Sequence, residues 1–397
     1  MLSTQKVTDF THDAPIRPRP AAAMPASRSG LRLVEIGSGE HLAFVEARGA
    51  SFLQCPSWAR VKTGWSAHRL GWRDNSGRLR GVAQVLTRDV PVPAVRRRFC
   101  YLPEGPVIDW TDPDLAAWLN PLVDRLRHDL GAFAVRLGPP VELRRWQADT
   151  VRAASRAGAG RLRYVGPDEA DPVGQAVGDT LASLGWRHVD DAAQPRFCFR
   201  LPLAGRELEA VWDGLSPQWR RNIGHAHRNR VRTGEGGPED LSGFFDLLGQ
   251  TQRRNGFDLG RDLDYYQRQY RELRAEAPER IRLMTAHHDG DLLAAHSLIR
   301  VGDRAVYQTG ASADHNCRLR PSNALQWQMI KQVYAEHAAE YDMRGVKDCL
   351  DPDCADWGLL RFKLGTGGHV AENLGEFDFV LNRPLYRAFR RCRDRRG

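Results

Sequence analysis

The sequence contains very little lysine and no long apolar run. Lysine and arginine together number 58 in 397 residues, and five of them are lysine: Lys6, Lys62, Lys331, Lys347 and Lys363. No apolar stretch approaches the ~18 residues of a membrane-spanning helix, so the sequence predicts a soluble protein with at most peripheral membrane contacts. Because arginine carries nearly all the positive charge, a lysine in a structured region suggests a position that needs a compact point charge.

Motifs for metal binding and covalent catalysis are also missing. The seven cysteines are scattered without a C-x2-C pair, which argues against a zinc site or a disulfide framework and favours a reducing cytoplasm. His287 and His288 are adjacent and point to opposite faces of a predicted strand. No G-x-S-x-G elbow occurs. The sequence therefore offers no support for metal or covalent catalysis, and no cofactor is expected.

Positive charge is present in excess and is concentrated in two segments. The net charge is +9, which favours a polyanionic partner. Residues 216–232 contain five arginines and no acid, and residues 383–397 contain seven arginines and one aspartate. A solvated face explains one such run as well as phosphate binding does, whereas two together favour phosphate binding. The first run supplies a candidate basic patch: Arg220, Arg221, Arg228 and Arg230.

The order of periodic segments predicts two α/β domains after a tail. Residues 1–32 are rich in Pro, Ala, Ser and Arg and are predicted to be disordered. Residues 33–200 form a first predicted domain, with a loop insertion at about 145–180, and residues 201–369 form a second. In each, a strand meander is followed by a helix and a strand, which is the order of acetyltransferase-like domains and does not by itself specify a function.

Several polar side chains lie in structured surroundings at suggestive spacings. Trp58, Lys62 and Trp65 fall on one predicted helix face, where the lysine either covers apolar surface or makes a point-charge contact. Arg261 and Tyr265 are four residues apart on another helix, a spacing suited to holding a phosphate or a carboxylate. Each feature alone is more typical of a structural role than of a catalytic one.

Two further side chains lie beside bends. Asp109 ends the stretch YLPEGPVIDW, where a carboxylate often only caps a turn. Lys363 lies in RFKLGTGG, beside glycines that allow close approach to the backbone. The stretch RNIGHA at 221–226 matches the coenzyme A motif R-x-x-G-x-A, which requires a helix N-terminus. Because it lies within a predicted running helix, the preferred interpretation is a basic helix face.

Six stretches of the chain, taken together and in order, carry a family resemblance. The stretches are FLQCPSWARVK, YLPEGPVIDW, LSPQWRRNIGHAHRNRV, RNGFDLGRDLDYY, VYQTGASADHNCRLRPSNALQWQMIKQ and GLLRFKLGTGGHVAENLGEFDFVLNRPLYRAF. Their order resembles that of the Fem-type aminoacyltransferases, the group of FemA, FemX and MurM. The resemblance covers roughly residues 33–390.

The resemblance implies two acetyltransferase-like domains, with the C-terminal segment 370–397 returning to complete the first. It also implies transfer of an amino acid from aminoacyl-tRNA to an amine, typically in the stem peptide of a peptidoglycan precursor. No long charged heptads occur, so no coiled-coil arm is expected and the compact FemX-like form fits best. A cytoplasmic monomer is the expected state.

The resemblance also assigns binding residues. Lys62 and Arg261 match positions that contact the uridine-diphosphate-muramyl part of the acceptor, and Tyr101, Tyr265 and Tyr307 match positions lining the same cleft. The basic patch of Arg220, Arg221, Arg228 and Arg230 is the expected tRNA contact.

For the chemistry, Lys363 matches the lysine of the family's FK motif near the acyl ester. An aminoacyl ester is already activated, so the enzyme mainly positions an amine and stabilises an oxyanion. Asp109 is the candidate to receive or orient the amine proton, and the tRNA ribose hydroxyl is the competing route.

Two other functions remain open at this stage. One keeps the tRNA donor and uses an amine of an aminoglycoside-like or peptidyl antibiotic as acceptor. The other is a CoA-dependent N-acyltransferase or a non-catalytic relative, supported only by RNIGHA at 221–226.

Overall fold

The computed structural model describes residues 30–90, 97–190 and 192–394. Most of the predicted tail, residues 1–29, lies outside this range. The strands are β1 Arg32–Glu35, β2 Ser66–Arg73, β3 Leu79–Val90, β4 Arg97–Leu102, β5 Ala132–Leu137, β6 Glu142–Gln147, β7 Glu169–Ala170, β8 Arg187–Val189, β9 Phe197–Pro202, β10 Arg232–Gly236, β11 Ile281–His288, β12 Asp291–Val301, β13 Arg304–Ser312, β14 Glu340–Val346, β15 His369–Asn373 and β16 Glu376–Val380.

Helices cover these strands, and none in the described part of the chain is long and apolar enough to cross a membrane. The helices are α1 Ser38–Ala47, α2 Pro56–Val61, α3 Leu115–Leu130, α4 Ala148–Arg156, α5 Pro172–Ser183, α6 Leu208–Gly214, α7 Pro217–Arg228, α8 Leu241–Asn255, α9 Leu263–Glu276, α10 Pro321–Ala335, α11 Trp357–Leu364 and α12 Arg383–Asp394.

The two sheets repeat one pattern. The first has the order β1-β2-β3-β4-β5-β16-β8 and the second β10-β11-β12-β13-β14-β9-β15-β6-β7. In each, four antiparallel strands end in a parallel pair, β4 with β5 and β13 with β14. A parallel pair needs a long crossover, which α3 and α10 supply. This repetition confirms the predicted fold of two acetyltransferase-like domains.

Capping residues in the sequence define the two ends of α3 and the start of α7. The Asp114 side chain accepts from the Ala117 amide at the start of α3, and Gly131 ends that helix at φ +64°. The Ser216 side chain accepts from the Trp219 amide at the start of α7. Helix α7 is thereby fixed at its N-terminus, directly before its arginines.

The chain passes between the two sheets more than once. Strand β15 lies in the second sheet between β9 and β6, and β16 lies in the first between β5 and β8. Strands β6, β7 and β9 precede residue 203 and nevertheless belong to the second sheet. The domain boundaries at residues 200 and 369 remain predictions. Because the chain passes repeatedly between the sheets, segments that are far apart in the sequence become neighbouring strands of one sheet.

Residues 145–180 differ from the predicted loop insertion. They contain the end of β6, all of α4 and β7, and most of α5. Trp146, Val151 and Val177 are buried. Gly174 packs so closely that an added Cβ would lie 2.3 Å from the Glu142 carbonyl oxygen. Small residues that permit this packing also weaken the hydrophobic periodicity, which explains why the sequence pattern indicated a loop.

Candidate active site

Lys363 lies in the last turn of α11 and is almost completely buried, with 3% of its surface exposed. Its Nζ atom donates to the carbonyl oxygen of Gly345 at 2.7 Å and lies 3.3 Å from that of Arg344. Burial lowers the pKa of Lys363 to about 8. Backbone carbonyl groups at the end of β14 therefore hold this ammonium, which keeps its proton at neutral pH and loses it as the pH rises through about 8.

The glycines after Lys363 allow close packing of protein on protein. A Cβ at Gly365 would lie 2.0 Å from the Trp219 ring, and one at Gly367, where φ is +78°, would lie 2.2 Å from the Gly214 carbonyl oxygen. Helix α11 is thereby pressed against α6 and α7. The position of Lys363 depends on this packing.

An ion pair between Glu104 and Arg344 supports the corner of β14. Arg344 Nη1 donates to Glu104 Oε1 at 2.7 Å, and the two side chains are 13% and 17% exposed for Arg344 and Glu104. Burial alone would raise the pKa of Glu104, but Arg344 and Arg304 outweigh it and lower that pKa. Arg344 has φ +61°, an unusual left-handed conformation for a residue with a side chain. The pair therefore fixes the backbone whose carbonyl groups hold Lys363.

A second ion pair lies directly beside the first. Arg304 Nη2 donates to Asp342 Oδ2 at 2.5 Å, and the Arg344 amide donates to Asp342 Oδ1 at 2.6 Å. Burial alone would raise the pKa of Asp342, but these arginines, with Arg200, lower it to about 2. Asp342 is thus ionised at neutral pH and acts as a fixed counter-charge.

Tyr101 connects this corner to the segment after α2. Its hydroxyl donates to Glu376 Oε1 at 2.5 Å and accepts from Gln194 Nε2 at 3.2 Å, while Gln194 Oε1 accepts from Arg344 Nη2 at 2.9 Å. On its other side, the Tyr101 ring lies 6.3 Å from the Trp65 ring. Burial, followed by the charge of Glu376, raises the pKa of Tyr101, so the phenol stays protonated.

Lys62, Arg261 and Tyr265 meet where α2 packs on α9. The Arg261 guanidinium lies 4.2 Å from the centre of the Tyr265 ring and donates to its hydroxyl. Lys62 Nζ lies 5.3 Å from the centre of the Trp58 ring. Burial, and then the charge of Arg261, lower the pKa of Lys62 to about 8. Among the described side chains neither cation has a carboxylate partner, so the two together suit an anion with more than one charge.

Tyr307 lies apart from these cations. It belongs to β13, its ring is 5.0 Å from that of His296, and burial raises its pKa. Among the described residues it makes no hydrogen bond or ring contact with Lys62 or Arg261. Its predicted place in the acceptor cleft stays a prediction.

Asp109 is exposed in a turn. One of its oxygens, Oδ1, accepts from the Thr111 amide at 3.0 Å and from Thr111 Oγ1 at 2.6 Å. The hydroxyl hydrogen bond contributes most to lowering the pKa of Asp109 below its ordinary value. The carboxylate caps this turn, and its second oxygen accepts no hydrogen bond from the described part of the chain. Its predicted role in proton transfer stays a prediction.

A cleft of about 590 Å³ opens between α7, α10 and α11, and its wall includes Phe362 and Gly365 from the end of α11. Arg152, Arg320 and Arg361 contribute positive charge to its lining. The Trp219 and Phe362 rings also line it, 4.8 Å apart. Guanidinium groups together with aromatic rings are a combination that suits phosphates and bases.

The arginines of α7, and Arg230 in the turn after it, lie mainly on the solvent side. Arg220 is 3.7 Å from Asp213, and Arg221 donates to Gln218. Arg228 and Arg230 are exposed. The stretch RNIGHA lies inside α7, where backbone amides are used within the helix, which agrees with the predicted running helix. Within the described ranges no group of three or more His, Cys, Asp or Glu side chains is placed to hold a metal ion.

Sequence reasoning missed Glu104, Gln194 and Arg344. A signal for Arg344 was present, because the strand YDMRGV places Asp342 and Arg344 two residues apart on one face of an otherwise apolar segment. Glu104 stood between two prolines in a stretch already singled out. Their pairing was not visible because the partners are 240 residues apart.

Comparison with known proteins identifies a family and named relatives. The model of the FemAB family matches residues 36–277 and 268–393. A lipid II:glycine glycyltransferase of Staphylococcus epidermidis is 23% identical over 431 residues, covering 91% of this chain and 96% of that protein. A protein of the same description from Staphylococcus aureus is 25% identical over 440 residues, with the same coverage.

The fold agrees with a solved structure. The crystal structure of FemX superposes with a TM-score of 0.74 at 22% identity, covering 90% of this chain and 99% of that one. The resemblance predicted from six sequence stretches is therefore confirmed. Since the family model spans nearly the whole described chain, the protein belongs to the FemAB family.

Proposed function

We propose that this protein is an aminoacyltransferase that moves an amino acid from aminoacyl-tRNA to the stem-peptide amine of a peptidoglycan precursor. The observation that carries the proposal is the buried ammonium of Lys363 at the end of α11, the helix that also forms one wall of the basic cleft. This ammonium is linked through Arg344, Gln194 and Tyr101 toward the Lys62 side. The relatives named lipid II:glycine glycyltransferase support a cell-wall acceptor.

The donor is expected in the cleft between α7, α10 and α11. Arg152, Arg320 and Arg361 would meet backbone phosphates of the tRNA end, and the half-buried Phe362 ring, which is backed by Trp219, offers a face for a terminal base. The solvent-side arginines of α7 extend this positive surface. The ester is then expected at the C-terminal end of α11, the turn that carries Lys363 and is followed by Gly365 on the cleft wall.

The acceptor is expected at Lys62 and Arg261. Two adjacent cations without an acidic partner match the diphosphate of a precursor, and the tyrosine ring beneath Arg261 fixes the direction of its guanidinium. Tyr101 lies between this pair and the β14 corner, so the stem peptide would run past it toward Lys363.

In the proposed reaction the amine nitrogen attacks the ester carbonyl carbon and forms a tetrahedral intermediate. The Lys363 ammonium stabilises the oxyanion. The C–O bond to the ribose then breaks, the ribose oxygen takes up a proton, and an amide remains. The proton that the amine releases reaches the ribose oxygen through the neighbouring ribose hydroxyl. Asp109 is the less suitable acceptor for this proton, because its lowered pKa makes it a weak base.

The proposal is tested with labelled aminoacyl-tRNA and a muramyl-pentapeptide precursor, with and without ribonuclease. Transfer that ribonuclease abolishes is the expected result. Parallel reactions with aminoglycoside-like or peptidyl amines test the antibiotic alternative. Ribonuclease-resistant transfer supported by acetyl-CoA would overturn the proposal. Inhibition by salt should be steep, because binding releases counterions from several phosphates.

Lys62→Ala and Arg261→Ala are each expected to raise the KM for the precursor roughly 10- to 100-fold, the range for a lost hydrogen bond to a charged group. The kcat should change little. Arg60→Ala is the matched control, since Arg60 lies on α2 and pairs with Glu272 at the surface. The KM for a free stem peptide, which lacks the diphosphate, should be unchanged by all three substitutions. An unchanged KM for the precursor in Lys62→Ala and Arg261→Ala would remove this site from the acceptor path.

Asp109→Asn is expected to lower kcat by less than about tenfold, or ~1.4 kcal/mol, if the ribose hydroxyl carries the proton. The matched comparison uses the wild-type enzyme with an aminoacyl-tRNA whose terminal ribose lacks the neighbouring hydroxyl. With this donor, the wild-type rate should fall much further than the rate of Asp109→Asn falls with the normal donor. A loss of about 100-fold or more in Asp109→Asn would assign the proton to this carboxylate instead.

A further inference from the structure

Helix α12 presents a row of arginines that the proposed reaction does not use. Arg383, Arg387 and Arg391 are exposed and recur at four-residue spacing, so they share one face. Among the described side chains none of the three has a carboxylate partner. The face therefore carries uncompensated positive charge.

The opposite face of α12 anchors the helix to the first sheet. Phe389 stacks on Phe99 with ring centres 4.8 Å apart, and Leu385 packs in the same small cluster. The Tyr386 hydroxyl donates to the buried Asp378 carboxylate at 2.5 Å. The helix is thus attached by its apolar side, and its arginines are directed to solvent.

Contacts through Trp65 connect this helix to the proposed acceptor pair. The Trp65 ring lies 6.5 Å from that of Phe99, which in turn carries Phe389. The exposed Arg88 lies 5.9 Å from the Trp65 ring centre. Trp65 follows Lys62 by three residues, and its amide donates to the Lys62 carbonyl. Positive charge therefore continues from α12 toward Lys62.

Beyond Lys62, the loop before Arg261 exposes two large apolar side chains. Phe257 is 44% and Leu259 is 42% exposed, and both precede Arg261 by a few residues. An exposed leucine beside cations gains little from a nucleic acid, which offers it no stacking partner, but it gains from burial among acyl chains.

We infer that this side of the molecule, formed by the arginine face of α12 and the Phe257–Leu259 loop, docks on an anionic lipid bilayer. The inference rests on the proposed function, because docking would bring a membrane-linked diphosphate acceptor to Lys62 and Arg261. Charge complementarity between arginines and anionic headgroups drives the contact, and the two apolar side chains enter the interface. The donor surface on α7 is a separate basic region, which leaves α12 available to the membrane.

Binding to vesicles tests the inference, with phosphatidylcholine alone compared to a mixture with phosphatidylglycerol. The full chain should bind only the mixed vesicles, and salt should release it. Arg383→Gln/Arg387→Gln/Arg391→Gln should weaken this binding roughly 100-fold, because each basic residue near an anionic surface contributes about a factor of five. Phe257→Ser/Leu259→Ser should weaken binding with little change in the salt dependence.

The matched control removes three exposed arginines from the donor side, Arg228→Gln/Arg230→Gln/Arg232→Gln. This variant should keep vesicle binding and lose affinity for tRNA. The α12 variant should lose vesicle binding and keep its affinity for tRNA. Equal vesicle binding by the α12 variant and the wild type would overturn the inference, and loss of tRNA affinity in place of vesicle affinity would identify α12 as an RNA surface.

Transfer assays separate this inference from the proposed function. The α12 variant should lose transfer to a precursor embedded in vesicles and keep transfer to a soluble nucleotide-linked precursor. If the wild type transfers to neither acceptor while its vesicle binding still depends on α12, the proposed function fails and the docking surface stands.

Discussion

Replacing Lys363 with methionine is expected to lower kcat about 100- to 1,000-fold, or ~2.7–4 kcal/mol, the range for removing one oxyanion-stabilising donor. The KM values for tRNA and precursor should change little. The reason is that a charge held by the carbonyl groups of Arg344 and Gly345 costs no reorganisation when the oxyanion forms. Single-turnover measurements of the transfer step check this result.

The pH dependence gives a second readout for the same residue. With the pKa of Lys363 lowered to about 8, its ammonium is lost as pH rises through 8, so wild-type turnover should decline there. Folding favours the neutral form of a group whose pKa it lowers, so this lysine makes the protein more stable as pH rises from 8 toward 10.5. Lys363→Met should lack that rise. A variant with normal kcat and weaker tRNA binding would contradict the catalytic role.

Arg344→Ala is expected to lower the free energy of unfolding by about 3 kcal/mol, since it leaves the largely buried carboxylate of Glu104 without its partner. The β14 corner should also loosen, so turnover should fall although Arg344 touches no substrate in the proposed reaction. Urea unfolding followed by tryptophan fluorescence measures the first effect. The pH at which turnover declines measures the second, because a displaced Lys363 would shift its pKa.

Two variants separate the ion pair from backbone strain. Arg344→Gly removes the same side chain but accepts φ +61° freely, so it should be about 1 kcal/mol more stable than Arg344→Ala. Arg60→Ala removes an arginine from a surface pair and should cost less than about 1 kcal/mol. If Arg344→Ala is no more destabilising than Arg60→Ala, the pair does not support this corner.

The scarcity of lysine directed attention to Lys363 and Lys62, and in the structure both are partly or fully buried cations with a lowered pKa. Their functional roles stay predictions. The resemblance to the family predicted that Lys62, Arg261 and Tyr265 belong to one cleft. In the structure, the packing of α2 on α9 brings these three side chains together. The segment 145–180 was predicted as a loop because its small residues weaken the periodic signal that larger side chains give.

The sequence by itself determined the family, the repeated meander–helix–strand pattern and the two arginine-rich segments, because these features are local and depend on spacing along the chain. The tertiary structure alone decided that Glu104 pairs with Arg344, that Tyr101 bridges toward their corner, and that carbonyl groups hold Lys363. Such pairings depend on strand order and on packing between domains, which no local pattern encodes. Burial follows from the same packing, and burial sets the pKa values on which the proposed chemistry depends.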